Sequence, residues 1–396
     1  MINNTKQNTN KLENYLKKRD DINVDIVEVF KAIALFNGVN SIKKTKDIME
    51  AYSYLKNKKH MVFILFDGFG YEKLMSLDDN SILKQNLVRK INTVNPTSTA
   101  CVLTSLMSCK YPNEHGIYGW WDYNKEFDID YFPLLFEERK TGISLNEKNI
   151  KLDDIYKFEP IFDKFTTKVN VYENVNIINS DYTKMFTKNA STHGYRSVKD
   201  CFNKLAKNLK NETSNTFNYI YIEGLDLASH SYGTDSKEVL SIIEEVEVGI
   251  KNVIKSNSEV SVVLTADHGQ VNMKEMIYLN QNYDYSKYFY RVPSIDTRAI
   301  SFFVKEEYLE EFTDKFMQEF SEDVILLTKE EVEKINLFGK EKFTKIAKDS
   351  LGEFVAIIVN DKFMVCDKIE KDDYMFTKGN HSGLTQSETV IPLIVI

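Results

Sequence analysis

Cysteine is scarce: four occur in 396 residues (Cys101, Cys109, Cys201 and Cys366), and no two form a C-x-x-C pair. That excludes a disulfide framework, a thiolate zinc site and a thioredoxin-like redox centre, leaving buried thiols. Fifteen glycines and six prolines are too few for a flexible linker, and no internal repeat is present. No apolar run approaches the roughly eighteen residues that a membrane span needs. The opening residues, MINNTKQNTNKLENYLKKRD, place Asn, Lys and Thr where a secretory signal would be apolar, so a cytoplasmic protein without membrane attachment is the expectation. Lysine and arginine (51) are outnumbered by aspartate and glutamate (59), giving a formal charge of −8. This acidic balance argues against a nucleic-acid polymer as partner. Histidine is also rare, with six in the chain, so metal ligands would come from a short list.

What is present is a globular composition, 42% hydrophobic and 28% charged, in a chain long enough to bury a large core. Residues 1–20 read as a polar arm. Ile26, Phe30 and Ile33 then recur near helical spacing with Gly38 as a stop, and a second helix is predicted over Asp47–Lys56. Residues 1–58 are thus expected to form an N-terminal helical extension. Met61–Phe66 (MVFILF) is a short apolar run of the kind buried on both faces of a parallel sheet, with similar runs at Phe217–Ile222, Val260–Leu264 and Val390–Ile396. Between two of them Val239, Ile243, Val246, Ile250 and Val253 mark an amphipathic helix. The pattern predicts an α/β doubly wound, mostly parallel sheet flanked by helices. The core is expected over 59–273 and 377–396, interrupted by a smaller inserted cap over 274–376. The insert contains a strand at Ala299–Val304 and helices at Glu306–Glu319 and Lys329–Ile335.

Acidic and imidazole groups cluster beside these strands. Asp67-Gly68 follows the first; Asp226 and His230 follow the second; Asp267-His268-Gly269 follows the third; His381 precedes the last. Ligands in such folds sit at the carboxyl ends of the strands, so these groups converge on one edge. Three aspartates brought together repel one another, and divalent cations provide the compensation. Asp with His suits zinc or manganese, and six ligands suit a pair of ions, an arrangement used for in-line displacement at phosphorus. A nucleophile is available in Asn95-Pro96-Thr97-Ser98-Thr99. These residues precede an apolar helical run whose positive end can hold a phosphoryl oxygen.

The ordered set Asp67-Gly68, the Pro-Thr-Ser-Thr turn, Tyr111-Pro112-Asn113-Glu114-His115-Gly116-Ile117, Asp226-x3-His230, Asp267-His268-Gly269 and His381-x-Gly383 resembles the type I phosphodiesterase/nucleotide pyrophosphatase branch of the alkaline phosphatase superfamily. The resemblance runs from Asp67 to the C-terminus and omits residues 1–58. It implies an alkaline phosphatase-like fold. One metal would be held by Asp226, His230 and His381, and the other by Asp67, Asp267, His268 and the nucleophile. The nucleophile falls at Thr99, with Ser98 as fallback. The implied chemistry is a two-metal phosphohydrolase acting on a small phosphodiester or pyrophosphate, a nucleotide among the candidates, through a phosphothreonine intermediate.

Two departures bear on the substrate. Members acting on nucleotide diesters usually carry an asparagine three residues after the nucleophile, where this chain has Val102. They carry another beyond the His-Gly element, where Trp120-Trp121-Asp122 stands. Trp120 and Trp121 are candidates for stacking on a base, or for packing. Cys101 begins Cys-Val-Leu-Thr, which does not fit the Cys/Ser-x-Pro-x-Arg of sulfatases. Taken singly, Asp67 reads as a turn residue, Asp226/His230 as a helical surface pair, and Thr99 as a helix cap. His115 is expected to fix a loop, His60 and His193 to lie at the surface, and Arg298 to form an ion pair.

Competing readings are a phosphomonoesterase or phosphotransferase on the same fold, and a catalytically silent ligand-binding scaffold. Elemental analysis of metal-replete protein separates the last from the rest. About two divalent ions per chain are expected for the enzyme, and none for the silent scaffold.

Overall fold

The computed structural model describes residues 2–366 and 378–396. Three helices open the chain: α1 (Ile2–Asp20), α2 (Ile26–Phe36) and α3 (Lys46–Ser53). The expected polar arm is therefore helical. Its apolar stripe is short, Leu12, Tyr15 and Leu16, and Leu12 and Tyr15 pack against the cluster that contains Phe338 and Val355. Polar side chains add to the docking on distant backbone: Lys11 donates to Ser321 O (2.8 Å) and Arg19 to Ile335 O (3.2 Å). Lys17, Lys18 and Arg19 also oppose the negative end of its dipole. Helix α2 is capped by a reciprocal Asp25–Glu28 box, and its residues from Ile26 to Leu35, apart from the half-buried Lys31, are buried in the main core.

The strands and helices that follow are β1 (His60–Phe66), β2 (Leu87–Asn92), α4 (Thr99–Ser108), β3 (Lys168–Asn174), β4 (Ser191–Tyr195), α5 (Val198–Lys210), β5 (Thr216–Ile222), α6 (Gly224–Tyr232), α7 (Lys237–Ser256) and β6 (Val260–Thr265). A second set contains β7 (Ser294–Ile295), β8 (Ala299–Phe302), α8 (Leu309–Phe320), β9 (Val324–Thr328) and β10 (Phe354–Ile358); β11 (Val390–Val395) closes the chain. The large sheet has seven strands in the order β2-β11-β6-β1-β5-β3-β4. β1 pairs in parallel with both β5 and β6, and every residue of all three is buried. That explains their unbroken apolar sequence.

β11 runs antiparallel to both β2 and β6. Its reversed direction brings its beginning, not its end, to the edge where the parallel strands finish. His381, upstream of β11, thereby reaches the same edge as Asp67 and Asp267.

Aromatic contacts bind the layers. Phe63 of β1 meets Phe30 of α2 edge-on at 5.2 Å and lies over Tyr219 of β5 at 6.0 Å. Burying each such ring contributes about 1.5–3 kcal/mol. Against the other face, α5 and α7 pack so closely that a Cβ on Gly249 would lie 2.2 Å from the Phe202 ring. His60 is not at the surface: it opens the central strand, is buried, and bonds Thr216 Oγ1 at 2.9 Å. His193 is half-buried and stacks on Tyr172 at 4.7 Å.

Residues between β6 and β11 build a second, antiparallel sheet in the order β7-β8-β10-β9. Its own cluster includes Phe302, Phe312, Phe316 and Phe320. The expected end of this insert at residue 376 lies outside the described residues. Among the described residues, no helix is long and apolar enough to cross a membrane. The second sheet is tied to the main one by a fully buried bidentate pair, Arg298 with Glu388 (2.7 and 2.8 Å). Glu388 also accepts the Gly383 N–H at 2.7 Å, two residues past His381.

Removing one member of a buried pair strands the other's charge. Glu388→Ala is therefore expected to cost about 3–5 kcal/mol in urea denaturation; a loss below about 1 kcal/mol would show that the two sheets are held by other means.

Candidate active site

The register of the central strands sets the site. Leu65 lies opposite Thr265 and Phe66 opposite Ile222, so Asp67, Glu223 and Asp267 emerge at one level of the sheet edge. There Asp67, Asp267 and His268 offer ligand atoms within 4.8 Å of one another, and so do Asp226, His268 and His381. His230 joins the second group through Asp226, with Nε2 3.3 Å from Oδ2, while His381 Nε2 is 3.7 Å from Oδ1. His268 lies between the groups. Its ring stacks on His381 at 3.7 Å, and its Nε2 is 3.5 Å from Asp67 Oδ1 and 3.3 Å from Asp267 Oδ2. All six acidic and imidazole residues named from the sequence come together.

Each imidazole is held in one tautomer. His230 Nδ1 donates to Gly379 O (2.7 Å), His381 Nδ1 to Thr97 O (2.8 Å) and His268 Nδ1 to Gly269 O (3.1 Å). A carbonyl only accepts, so the proton sits on Nδ1 and the Nε2 lone pair faces the cluster, as a metal ligand requires. The carboxylates are likewise anchored by one oxygen. Asp267 Oδ1 accepts the Gly68 and His268 N–H groups (3.0 and 2.9 Å), Asp67 Oδ2 accepts the Tyr221 hydroxyl, and Asp226 Oδ1 accepts the Gln270 amide. Asp67 Oδ1 and Asp267 Oδ2 are buried without a hydrogen-bond partner. Two orphaned carboxylate oxygens beside an imidazole lone pair are a donor set that fits divalent cations.

The electrostatics point the same way. Burial, then the neighbouring Asp267 and Asp226, hold the Asp67 carboxyl well above its ordinary pKa. Burial opposes the Asp226 charge too, but His230, His381 and His268 together outweigh it and the carboxyl is held low. Burial, then His268, pushes His381 well below the usual imidazole range.

Thr99 opens α4, and its Oγ1 lies 3.2 Å from His268 Nε2. It is not the helix cap: Ser98 occupies that position, and the Ser98 hydroxyl makes no capping bond but donates to Asp296 Oδ2 at 2.9 Å. The first-turn N–H groups of α4 are therefore left without a side-chain acceptor, beside a threonine that is only half-buried. His115 accepts from the Ile117 N–H (3.1 Å) and bonds Ser105 (2.9 Å), fixing the loop after α4 as expected.

Trp121 pairs with Ile295 through two backbone bonds, Trp121 N–H to Ile295 O (3.0 Å) and Ile295 N–H to Trp121 O (2.7 Å). It lines a small cavity with Asp296. Trp120 turns outward, 38% exposed, with its ring edge on Phe132. Tyr221, Gln270, Thr97 and Asp296 were not singled out from the sequence. Tyr221 and Gln270 each stand close to a recognised ligand in the chain, and Thr97 lies within the hydroxyl turn. Asp296 carried no signal, since it comes from the inserted segment.

Fold and ligand cluster together define a metal-dependent phosphohydrolase of the alkaline phosphatase superfamily. The type I phosphodiesterase/nucleotide pyrophosphatase family matches residues 61–384, and the chain belongs to that family. It is a hydrolase of the phosphodiesterase/pyrophosphatase type. Comparison with curated protein sequences returns no significant match. Similar solved structures include murine ectonucleotide pyrophosphatase/phosphodiesterase 5 (17% identity, TM-score 0.62, covering 84% of this chain and 87% of that one). An inactive variant of the murine protein in complex with AMP aligns equally well (17% identity, TM-score 0.62, 85% and 87% covered). Phosphonoacetate hydrolase from Sinorhizobium meliloti 1021, in complex with phosphonoformate, shares the fold at 14% identity (TM-score 0.62, 84% and 89% covered). At these identities the likeness is one of fold.

Because Tyr221 alone anchors one oxygen of buried Asp67, Tyr221→Phe is expected to weaken divalent-metal affinity about 10–100-fold. Chelator competition would measure this; an unchanged affinity would show that Asp67 needs no such support.

Proposed function

We propose that the protein cleaves the phosphodiester or pyrophosphate bond of a small substrate by attack of Thr99 on phosphorus. The carrying observation is the Thr99 hydroxyl, 3.2 Å from His268 Nε2 at the uncapped start of α4 and beside the ligand cluster. In this reading Asp226, His230 and His381 hold one divalent ion, and Asp67, Asp267, His268 and Thr99 the other, with zinc the preferred metal and manganese the alternative. When bound, the ions supply charge that neutralises the phosphoryl oxygens and favours the ionised hydroxyl.

The chain's own part is positioning. The Nδ1 bonds to Gly379, Thr97 and Gly269 fix the three imidazoles, and the free N–H groups at the start of α4 receive a phosphoryl oxygen. Thr99 Oγ1 forms the bond to phosphorus as the leaving oxygen departs in line. Water then takes the phosphoryl group from the phosphothreonine and returns the hydroxyl. Trp121, and Trp120 at the rim, offer ring surface to a base or another aromatic leaving group. A nucleotide substrate is supported by the AMP complex of the murine neighbour. We take the described part of the insert, residues 274–366, as a cap over this edge, residues 2–58 as an N-terminal helical extension, and the cytoplasm as the site of action.

Metal-replete protein given bis-p-nitrophenyl phosphate and p-nitrophenyl phosphate, with Zn²⁺ or Mn²⁺, is expected to prefer the diester; preference for the monoester would favour a phosphomonoesterase. Thr99→Ala is expected to lose at least about a thousandfold in turnover with its metal content retained. Undiminished turnover would reject Thr99 as nucleophile.

A further inference from the structure

Asp296 is an acidic residue that neither the ligand cluster nor the nucleophile accounts for. It lies between β7 and β8 in the second sheet, yet its side chain reaches the nucleophile turn of the main one. Its two hydrogen bonds come from neutral donors: the Thr297 N–H at 2.7 Å and the Ser98 hydroxyl at 2.9 Å. The titratable groups that act on it across the site include His230 and His268, with Asp122 near enough to feel its field. Like Thr99, Asp296 is half-buried, whereas Thr97, Ser98, Asp267 and His268 are buried. The carboxylate thus sits on Ser98, the residue next to Thr99, at the edge of the cluster.

The backbone is shaped to hold it there. Ile295, just before it, has φ of +81°, a conformation that a β-branched residue adopts only when its surroundings impose it. Two backbone bonds to Trp121 impose it, and Gly119 permits the approach, since a Cβ there would lie 2.2 Å from Ile295 O. Strain one residue before a carboxylate that holds the turn beside Thr99 points to a task in recognition.

The task follows from charge. Three ligand carboxylates and an ionised Thr99 would balance two dications, so a fourth carboxylate beside Ser98 adds uncompensated negative charge next to the phosphoryl group. A phosphodiester carries one negative charge there and a phosphomonoester close to two. We propose that Asp296 determines specificity: it disfavours dianionic phosphomonoesters relative to singly charged diesters. This rests on the phosphodiesterase reading above and deepens it.

The test compares zinc-loaded wild type with Asp296→Asn, Asp296→Ser and Asp296→Glu on p-nitrophenyl phosphate and bis-p-nitrophenyl phosphate. Neutralisation is expected to raise the monoester-to-diester ratio of kcat/KM about tenfold, while the Glu variant keeps the wild-type ratio. The Ser variant carries the test if the Asn variant does not fold. Binding of inorganic phosphate, followed by calorimetry at a pH where it is dianionic, is expected to tighten about tenfold in the neutral variants and needs no turnover. A ratio and a phosphate affinity both unmoved by neutralisation, or a wild type that prefers the monoester, would overturn the inference. A wild type inert to both esters would instead reject the phosphodiesterase reading, with phosphate binding still deciding the role of Asp296.

Discussion

The structure depends on three carboxylates being held together at one buried sheet edge. Asp67, Asp226 and Asp267 come from different strand ends, and each is fixed by one oxygen so that it cannot turn away. Their mutual repulsion in a dry setting is what makes divalent metal the natural complement. The histidines complete the arrangement because their Nδ1 protons are already committed to main-chain carbonyls. Most of the site is thus prepared by backbone geometry: two parallel strands in register, one antiparallel strand entering from the opposite direction, and a helix whose first turn is left open.

The open turn is a choice made against local stability. A serine at the start of a helix ordinarily accepts a first-turn N–H, and losing such a cap costs about 1 kcal/mol. Ser98 instead gives its proton to Asp296. The donors this frees are those an anion needs, and the bond it makes links the nucleophile turn to the second sheet. Local helix chemistry is subordinated to the site, as expected where a sequence violates an otherwise reliable rule.

Much of the fold was legible because its signals are local. Runs such as MVFILF need no context to be read as buried strands, and Asp67 and Asp267-His268 were visible because each directly follows such a run. What was hidden depends on tertiary contact. In TNKLENYLKKRD only Leu12, Tyr15 and Leu16 mark an apolar face, and part of what holds α1 is lysine and arginine bonds to carbonyls more than 300 residues away in sequence. The direction of β11 cannot be read from VIPLIV, since a buried antiparallel strand has the same composition as a parallel one. Asp296 has no apolar run beside it and no partner nearby in sequence to advertise it.

The same distinction separates the cluster from Asp296. The clustered aspartates and histidines and Thr99 lie in the main α/β core, where sheet register and the start of α4 fix their positions. Asp296, Arg298 and the backbone that grips Trp121 all belong to the second sheet. Their contacts with the core include Ser98 to Asp296, Trp121 to Ile295, and Glu388 to Arg298. Glu388 also holds the Gly383 N–H beside His381, so the contact that seats the second sheet supports the loop of His381 as well. A change at Asp296 leaves the strand ends in place, whereas a change at Glu388 reaches both the second sheet and the loop of His381.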